Sequence, residues 1–299
     1  MSAETQILIH PQETGWSTGM NEEKSFIEIV NDYLNSGETY LPVFNETALR
    51  VQQEITNEKP NHDLVIEIIS SDQALTGEVL RKANSAFFRG LQKVTTIKEA
   101  IIRIGLDEVA RLVLIITQKR QFKSRDRYIN TLMELLWRHS QQAAIGAQWI
   151  AQRCDFNPLS NEVFFAALLH DIGKLLILTV IEKISLEGKI HFQPTPSLIS
   201  EVMKGQHTIQ GYSLLKSWNI PEEYCIVARD HHLEEFDSNN FLLPIVRLAN
   251  MICNKMGFGL NIDPSLELSS TPEAILLGLS EIDIARLEIE MEDKLFVYS

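Results

Sequence analysis

The stretch Ala166-Ala-Leu-Leu-His-Asp-Ile-Gly-Lys-Leu-Leu-Ile-Leu178 places a histidine, an aspartate and a lysine inside a run that is otherwise apolar. Such a run fills the buried face of a helix, and burying His170, Asp171 and Lys174 within it costs free energy unless each group finds a partner. The sequence leaves three explanations open: a metal that does chemistry, a metal without turnover, or a metal-free core.

The whole chain has the composition of a globular protein. Of its 299 residues 44% are hydrophobic and 22% are charged, which supports a sizeable core. We find no apolar run of the roughly 20 residues that a membrane span needs. The N-terminus lacks a secretory signal pattern, and the three cysteines are far apart in apolar surroundings. These features predict a cytoplasmic protein with reduced thiols that does not bind a membrane.

The charge of the chain argues against one class of function. A net charge of −13 disfavours a protein that binds nucleic acid by neutralising its phosphates. One basic run departs from this background, Lys119-Arg-Gln-Phe-Lys-Ser-Arg-Asp-Arg127. It is either a solvated helix end with its linker or a patch that contacts phosphate or a partner protein.

Helical spacing of apolar residues dominates the chain and predicts an all-α, two-lobed fold. Thr96 and Glu99 are expected to form a capping box before an apolar helical run that ends at Gly105. Ser160 is expected to cap the helix that leads into His170, Thr195-Pro196 to open a helix, and a separate helix to cover residues 207–218. Only Lys189–Phe192 has a strand-like pattern. The predicted units are a flexible leader (1–21), a main domain (22–260) made of an N-terminal helical lobe (38–122) and a C-terminal lobe (128–260), and a helical extension (261–299).

The histidines concentrate in the second half of the chain. Three of the eight stand alone and are predicted surface residues: His10, His62 and His191. The other five lie on predicted helices among apolar neighbours: His139, His170, His207, His231 and His232. Five buried imidazoles and a carboxylate are hard to satisfy without a shared cation. This ligand set favours iron, manganese, zinc or nickel over calcium or magnesium.

The spacing of these residues limits what each can do. Because His170 and Asp171 are adjacent, both could bind one ion, or Asp171 could bridge two. Lys174 follows His170 by one helical turn and could reach a phosphate oxygen. His231 and His232 would point about 100° apart on an ideal helix, so they share one site only if the helix is distorted or two ions are present.

The same motifs resemble those of a known family. His139 followed by His170-Asp-Ile-Gly-Lys174 is similar to the HD superfamily of metal-dependent phosphohydrolases. Further matching stretches are Leu41–Phe44, Ser71–Ala86, Ile97–Gly105, Glu201, and His207 to Trp218 with Gly211. Over about residues 38–260 the chain resembles the HDOD branch of that superfamily, a family of bacterial signal-output domains. The resemblance implies that the C-terminal lobe is an HD-type helical bundle.

The resemblance also implies roles for individual residues. A first ion would be held by His139, His170 and Asp171. Asp171 would bridge to a second ion, held by His207, His231 and His232. Lys174 would contact phosphate, and Lys174 and Asp171 would be catalytic if the site is active.

Two departures from the active pattern shape the expected function. The position of the terminal acidic ligand holds Asn250, a weak neutral ligand, and no Gly-Tyr-Pro motif follows the double histidine. We therefore predict a bacterial signal-transduction module that binds one or two divalent transition metal ions with little or no turnover. Its expected partners are signalling proteins or a small phosphorylated ligand. The alternatives are a metal-dependent phosphohydrolase acting on a nucleotide or phosphoester, and a metal-free helical scaffold.

Overall fold

The computed structural model describes residues 24–36, 44–88, 90, 92–235, 237 and 240–294. The predicted leader over residues 1–21 and the segment 41–43 lie outside this set. Within the described residues all regular secondary structure is helical, which confirms the all-α prediction. The α-helices are α1 (Phe26–Asn35), α2 (Glu46–Ile55), α3 (His62–Ser70), α4 (Gln73–Ala83), α5 (Ile97–Ile104), α6 (Leu106–Lys119), α7 (Arg127–Arg153), α8 (Ser160–Leu169), α9 (Ile172–Leu186), α10 (Pro196–Ser217), α11 (Glu222–Asp230), α12 (Leu242–Lys255), α13 (Pro272–Leu276) and α14 (Glu281–Lys294).

Helices α2 to α6 form the N-terminal lobe, in which α2, α4 and α5 pack on α6 and α3 packs on α2, α4 and α5. Their starts are fixed locally, because a side-chain oxygen at each N-cap accepts an otherwise unpaired amide. Asn45, Asn61 and Asp72 do this for α2, α3 and α4. Thr96 and Glu99 form the predicted capping box of α5. The apolar faces of α2, α4 and α5 are buried against α6, whose central residues are almost all inaccessible.

The C-terminal lobe is built on α7, a 27-residue helix. Helices α8, α12 and α14 pack on α7, while α9 packs on α10 and α10 on α11. Helix α1 packs on α9, so it joins the C-terminal lobe although it comes first in the chain. Helix α14 is anchored by an ion pair of 2.9 Å between Arg153 Nε and Asp283 Oδ1.

Polar and aromatic contacts join the two lobes. Asn161, at the start of α8, accepts a hydrogen bond from Arg111 Nη1 at 2.9 Å and donates one to Asp107 at 3.0 Å. The Phe44 ring packs against Phe165 and Trp218, with centroids 6.0 and 5.3 Å away. The polar contacts hold α6 against the start of α8, the helix that leads into His170.

Three local predictions were wrong. Helix α10 runs unbroken from Pro196 to Ser217, because Gly205 remains helical within it and the two expected helices are one. Ser160 is the first residue of α8 rather than its cap, and its side chain makes no cap hydrogen bond. Lys189–Phe192 is not a strand, because Gly188 ends α9 with a positive φ of 66° and the chain turns there.

A longer apolar segment exists than the sequence analysis identified. Residues Asn157–Leu186 are long and apolar enough to cross a membrane by length and composition, so the prediction that no such run exists was wrong. Helices α8 and α9 together supply this length, with His170 and Asp171 between them. Of the most apolar window in this segment, 94% is buried inside the protein, as in the core of a folded domain.

Candidate metal centre

The candidate centre lies where α8 ends and α9 begins. His170 and Asp171 occupy the turn between the two helices, and Lys174 is in the first turn of α9. The remaining imidazoles come from the middle of α7 (His139), the middle of α10 (His207) and the turn that follows α11 (His231 and His232). Five helices, α7 to α11, therefore converge on one junction.

The Asp171 carboxylate lies at the centre of this cluster and is 1% exposed. Its Oδ2 is 3.4 Å from the Nε2 atoms of both His139 and His170. Its Oδ1 is 3.5 Å from Nε2 of His207 and 3.4 Å from Nε2 of His231. The carboxylate thus separates the four buried histidines into two pairs, one for each oxygen.

Backbone carbonyls fix the tautomer of each buried histidine. A carbonyl oxygen can only accept a hydrogen bond, so the Nδ1 atom beside it carries the proton and Nε2 presents a lone pair. The four Nδ1–carbonyl pairs are His139 with Phe258 at 2.9 Å, His170 with Ala167 at 2.7 Å, His207 with Met203 at 2.7 Å and His231 with Ala228 at 3.0 Å. Metal-ligating histidines are oriented in this way.

Several lone pairs in the cluster have neither a hydrogen-bond donor nor a cation as a partner among the described residues. The Nε2 atoms face each other at 3.3 Å between His139 and His170 and at 3.4 Å between His207 and His231. Asp171 Oδ1 is buried and has no hydrogen-bond donor among the described residues. Lone pairs that converge on an unsatisfied carboxylate oxygen fit divalent transition metal ions.

Two sets of ligand atoms meet at Asp171, and within each set all atoms lie within 4.8 Å of one another. The first ligand group is His139, His170 and Asp171, and the second ligand group is Asp171, His207, His231 and His232. Both contain residues singled out in the sequence, with Asp171 common to the two. The structure therefore has room for one or two ions.

His232 reaches the cluster because it is not helical. Helix α11 ends at Asp230, so both consecutive histidines fall in the turn that follows. Their ring centroids are 4.1 Å apart, and the ring of His232 lies 5.1 Å from that of His207. His232 is exposed, unlike the other four, and forms the solvent side of the second ligand group.

Lys174 is the internal counter-ion of Asp171. Its Nζ lies 2.6 Å from Asp171 Oδ2, and the lysine is 7% exposed. Lys174 also lines a cavity of about 220 Å³ between α7 and α10, which has Lys204 on another wall. The predicted contact with phosphate remains a prediction.

The protonation states favour cation binding at neutral pH. Burial lowers the pKa of His139 and His170 below the usual value and lowers that of His207 to about 4, although Asp171 opposes these shifts. Burial alone would raise the pKa of Asp171, but Lys174 and the histidines hold it well below its usual range. Neutral imidazoles beside an ionised carboxylate need lose no proton before they bind a metal.

Asn250 lies beside the second ligand group. It is 6% exposed on α12 and lines a cavity of about 350 Å³ together with His231, His232 and Asp263. An amide oxygen here adds no negative charge to a group whose only carboxylate is Asp171. Its role as a weak ligand remains a prediction.

An arginine clamp was missed by the sequence analysis. Arg247 Nε pairs with Glu273 Oε1 at 2.6 Å, and its Nη1 donates to the carbonyl oxygens of His231 and Leu233. The clamp holds the turn that carries both histidines against α12. Arg247 and Glu273 are 26 residues apart and neither belongs to a motif, so the sequence offered no signal for this contact.

Two glycines make close approaches possible at the centre. A Cβ on Gly173 would lie 1.9 Å from the carbonyl oxygen of His207, so α9 and α10 can cross there only with glycine. Gly259 has φ +124°, and a Cβ there would lie 2.8 Å from Cβ of His139. The first was visible in the sequence as the glycine of His170-Asp-Ile-Gly-Lys174. The second was not predicted.

With this geometry established, comparison with known proteins identifies the family. A model of the HDOD domain matches residues 41–234, more than half of the chain. The chain belongs to the HDOD domain family. This confirms the resemblance found in the sequence, and the match includes every histidine of both ligand groups but ends before Asn250 and the arginine clamp.

Sequence relatives add little about activity. An uncharacterized protein of Treponema pallidum is 25% identical over 220 residues, which is 71% of this HDOD protein and 42% of that one. The uncharacterized protein YuxH of Bacillus subtilis is 35% identical over 66 residues, which is 22% of this chain and 16% of YuxH. The chain therefore spans less than half the length of each of these curated relatives.

Solved structures share the fold of this HDOD protein. An HDOD domain protein of unknown function from Geobacter sulfurreducens aligns with a TM-score of 0.70 and 23% identity, over 91% of this chain and 95% of that one. A protein of Shewanella amazonensis provisionally named a metal-dependent phosphohydrolase aligns at 0.61 and 20% identity, over 90% and 99%. A Marinobacter aquaeolei protein provisionally named a signal transduction protein aligns at 0.66 and 21% identity, over 92% and 65%. At these identities the likeness concerns the fold alone.

Proposed function

We propose that this HDOD protein is a signal-transduction module whose metal centre has a structural or sensing role with little or no turnover. The observation that carries the proposal is the enclosure of the ligands. His139, His170, Asp171, His207 and His231 are each at most 4% exposed. An ion bound there would supply the missing partner of Asp171 within the protein core. Its binding is therefore coupled to folding, as at structural metal sites.

The charge at the centre also supports limited turnover. Asn250 contributes no carboxylate, and Lys174 already neutralises one oxygen of Asp171 at 2.6 Å. A site with one carboxylate and one buried cation attracts a divalent ion less strongly than a carboxylate-rich site. It is also less suited to support a second ion.

Family membership and the net charge of the chain support a proposed cellular role. The Marinobacter structure with the same fold carries a provisional signal-transduction name. We propose that the partners are signalling proteins or a small phosphorylated ligand, and that the protein works in the cytoplasm. With a net charge of −13 it would not bind nucleic acid through its overall charge, and we propose no membrane partner.

Metal analysis tests the proposal directly. Untagged protein purified without chelator should contain one or two equivalents of iron, manganese, zinc or nickel. His139→Ala should remove the ion of the first ligand group and His207→Ala that of the second. Phosphomonoesters and nucleotides should be hydrolysed no faster than in a blank. Protein that carries no metal, and takes up none from excess ion, would refute the proposal and favour a metal-free scaffold.

A metal-dependent phosphohydrolase is the second candidate. The observation in its favour is the cavity of about 220 Å³ beside the centre, which presents Lys174 and Lys204 to a phosphorylated substrate. When bound, a divalent ion would polarise a phosphoryl oxygen as a Lewis acid. The residues of this chain that would orient such a substrate are the two lysines, as cationic hydrogen-bond donors.

Restoring a carboxylate separates the two candidates. If Asn250 limits catalysis, Asn250→Asp should create or strongly raise phosphodiesterase activity. Asn254→Asp is the matched control, because Asn254 lines the same cavity and the change adds the same charge. Equal effects of both changes would assign the result to general charge. No gain with Asn250→Asp would show that position 250 is not a ligand.

A further inference from the structure

A concave basic surface lies on the N-terminal lobe. The basic groove is formed by the last turn of α4, the last two turns of α6 and the turn that follows, and has a volume of about 300 Å³. Its basic side chains are Arg81, Lys82, Lys119, Arg120 and Lys123. Glu78, earlier in α4, contributes one carboxylate, and Ile115 and Ile116 contribute the apolar wall.

Only part of the basic run found in the sequence lines the groove. Lys119, Arg120 and Lys123 line it, together with two residues that lie about forty positions earlier in the chain. Arg125 and Arg127 belong to the same run but are not part of the lining. Tertiary packing therefore selects some of these cations and combines them with others from α4.

The groove contains more positive than negative charge. Of its cations, Arg120 pairs with Glu78 Oε1 at 3.2 Å and with Asp72 Oδ2 at 3.8 Å. Among the residues that the structure describes, Arg81, Lys119 and Lys123 have no carboxylate within ion-pair distance. This excess stands out in a chain of net charge −13.

Neighbouring cations are close enough to affect one another. Partial burial and the charges of Lys119 and Arg81 lower the pKa of Lys82. Cations near the C-terminal ends of α4 and α6 stabilise those helix dipoles, and one or two residues would suffice for that purpose. Helix stability therefore does not explain why Arg81, Lys119 and Lys123 share one concavity with two further cations, and a bound anion would relieve the repulsion among them.

We propose that the basic groove binds a small phosphorylated anion, held by Arg81, Lys119 and Lys123. Arginine and lysine are suited to phosphate oxygens, and about 300 Å³ is at the lower end of the range for small-molecule sites. The concavity favours a compact ligand over an acidic protein segment, which would need a longer surface. The site is independent of the metal centre, since no residue of the groove belongs to either ligand group.

Inorganic tripolyphosphate is the probe for a first test. The 299-residue chain is stripped of metal and dialysed free of chelator, so that an ion at the metal centre cannot recruit the phosphate. Isothermal titration calorimetry then compares the natural protein with Lys119→Glu/Lys123→Glu. Arg125→Glu/Arg127→Glu is the matched control, because it reverses two charges of the same run outside the groove. Lys119→Gln/Lys123→Gln serves if the charge reversal disturbs folding.

The groove variants should bind tripolyphosphate at least about tenfold more weakly, while the control changes affinity by less than about twofold. Added salt should weaken binding to the natural protein by screening. Equal losses in both double variants would overturn the proposal in favour of diffuse charge attraction. Absence of tripolyphosphate binding, including the case in which only an acidic polyglutamate peptide binds, would also overturn it.

Discussion

Removal of the Asp171 carboxylate should strongly destabilise the metal-free protein. In the natural protein the ammonium group of Lys174 lies 2.6 Å from Oδ2 of Asp171. In Asp171→Ala it loses this counter-ion. The lysine side chain is only 9% exposed, so water can replace the carboxylate only in part. Breaking one half of a buried pair costs about 3–5 kcal/mol. We expect about 3 kcal/mol, since the change also relieves repulsion between Asp171 and the histidine lone pairs.

An ion pair of nearly the same length at the surface provides the control. Lys216 Nζ lies 2.7 Å from Glu222 Oε2, and the two side chains are 49% and 47% exposed. Exposed ion pairs contribute only about 0–1 kcal/mol. Glu222→Ala should therefore cost less than about 1 kcal/mol, and burial, not distance, would account for the difference.

Urea denaturation monitored by circular dichroism measures both effects in metal-free protein. Adding Lys174→Met to Asp171→Ala should recover most of the lost stability, because it removes the stranded cation and keeps much of the side-chain volume. Excess manganese or zinc should stabilise the natural protein and not Asp171→Ala. A cost below about 1 kcal/mol for Asp171→Ala would refute the buried-pair argument. Absence of recovery in the double variant would show that the cost does not arise from Lys174.

Three further predictions concern protonation, the clamp and helix packing. Burial lowers the pKa of His207 to about 4, so the unfolded chain takes up its proton first, near pH 6.5. The free energy of unfolding of the metal-free protein should therefore fall from about pH 6.5 towards pH 4, by at most about 1.4 kcal/mol per pH unit from this group. Thermal unfolding at several pH values measures this, and an unchanged midpoint temperature would contradict it. Arg247→Ala should weaken metal binding to the second ligand group about 10–100-fold in a metal titration, and unchanged affinity would show that the clamp does not position it. Gly173→Ala should cost at least about 3 kcal/mol because its Cβ would lie 1.9 Å from a carbonyl oxygen, whereas Gly77→Ala meets no atom within 4 Å and should be neutral or stabilising.

Much of the fold could be predicted from the sequence. Apolar spacing identified most of the helices, and the capping box of Thr96 and Glu99 located the start of α5. Each of these signals depends on residues that lie close together in the sequence. Predictions failed where local signals were ambiguous. Residues 196–217 form one helix where two were expected, and Ser160 did not cap α8.

The chemical identity of the centre was also present in the sequence. The histidines around His170-Asp171 predicted a metal site, because apolar neighbours in the sequence indicate burial and a buried imidazole needs a hydrogen-bond partner or a cation. The spacing of these histidines along the sequence could not by itself show which of them belong to the first and which to the second ligand group. On an ideal helix His231 and His232 would diverge, and only the end of α11 at Asp230 brings them to the same group.

The sequence by itself determined most of the helices and the residue types able to bind a metal, because periodicity, caps and side-chain chemistry are local properties. The tertiary structure alone decided how these residues act together. It placed one oxygen of Asp171 opposite each pair of histidines, oriented His139 by the carbonyl of Phe258, and joined Arg81 to Lys119 in the basic groove. These contacts join residues far apart in the chain, and their geometry depends on how whole helices pack.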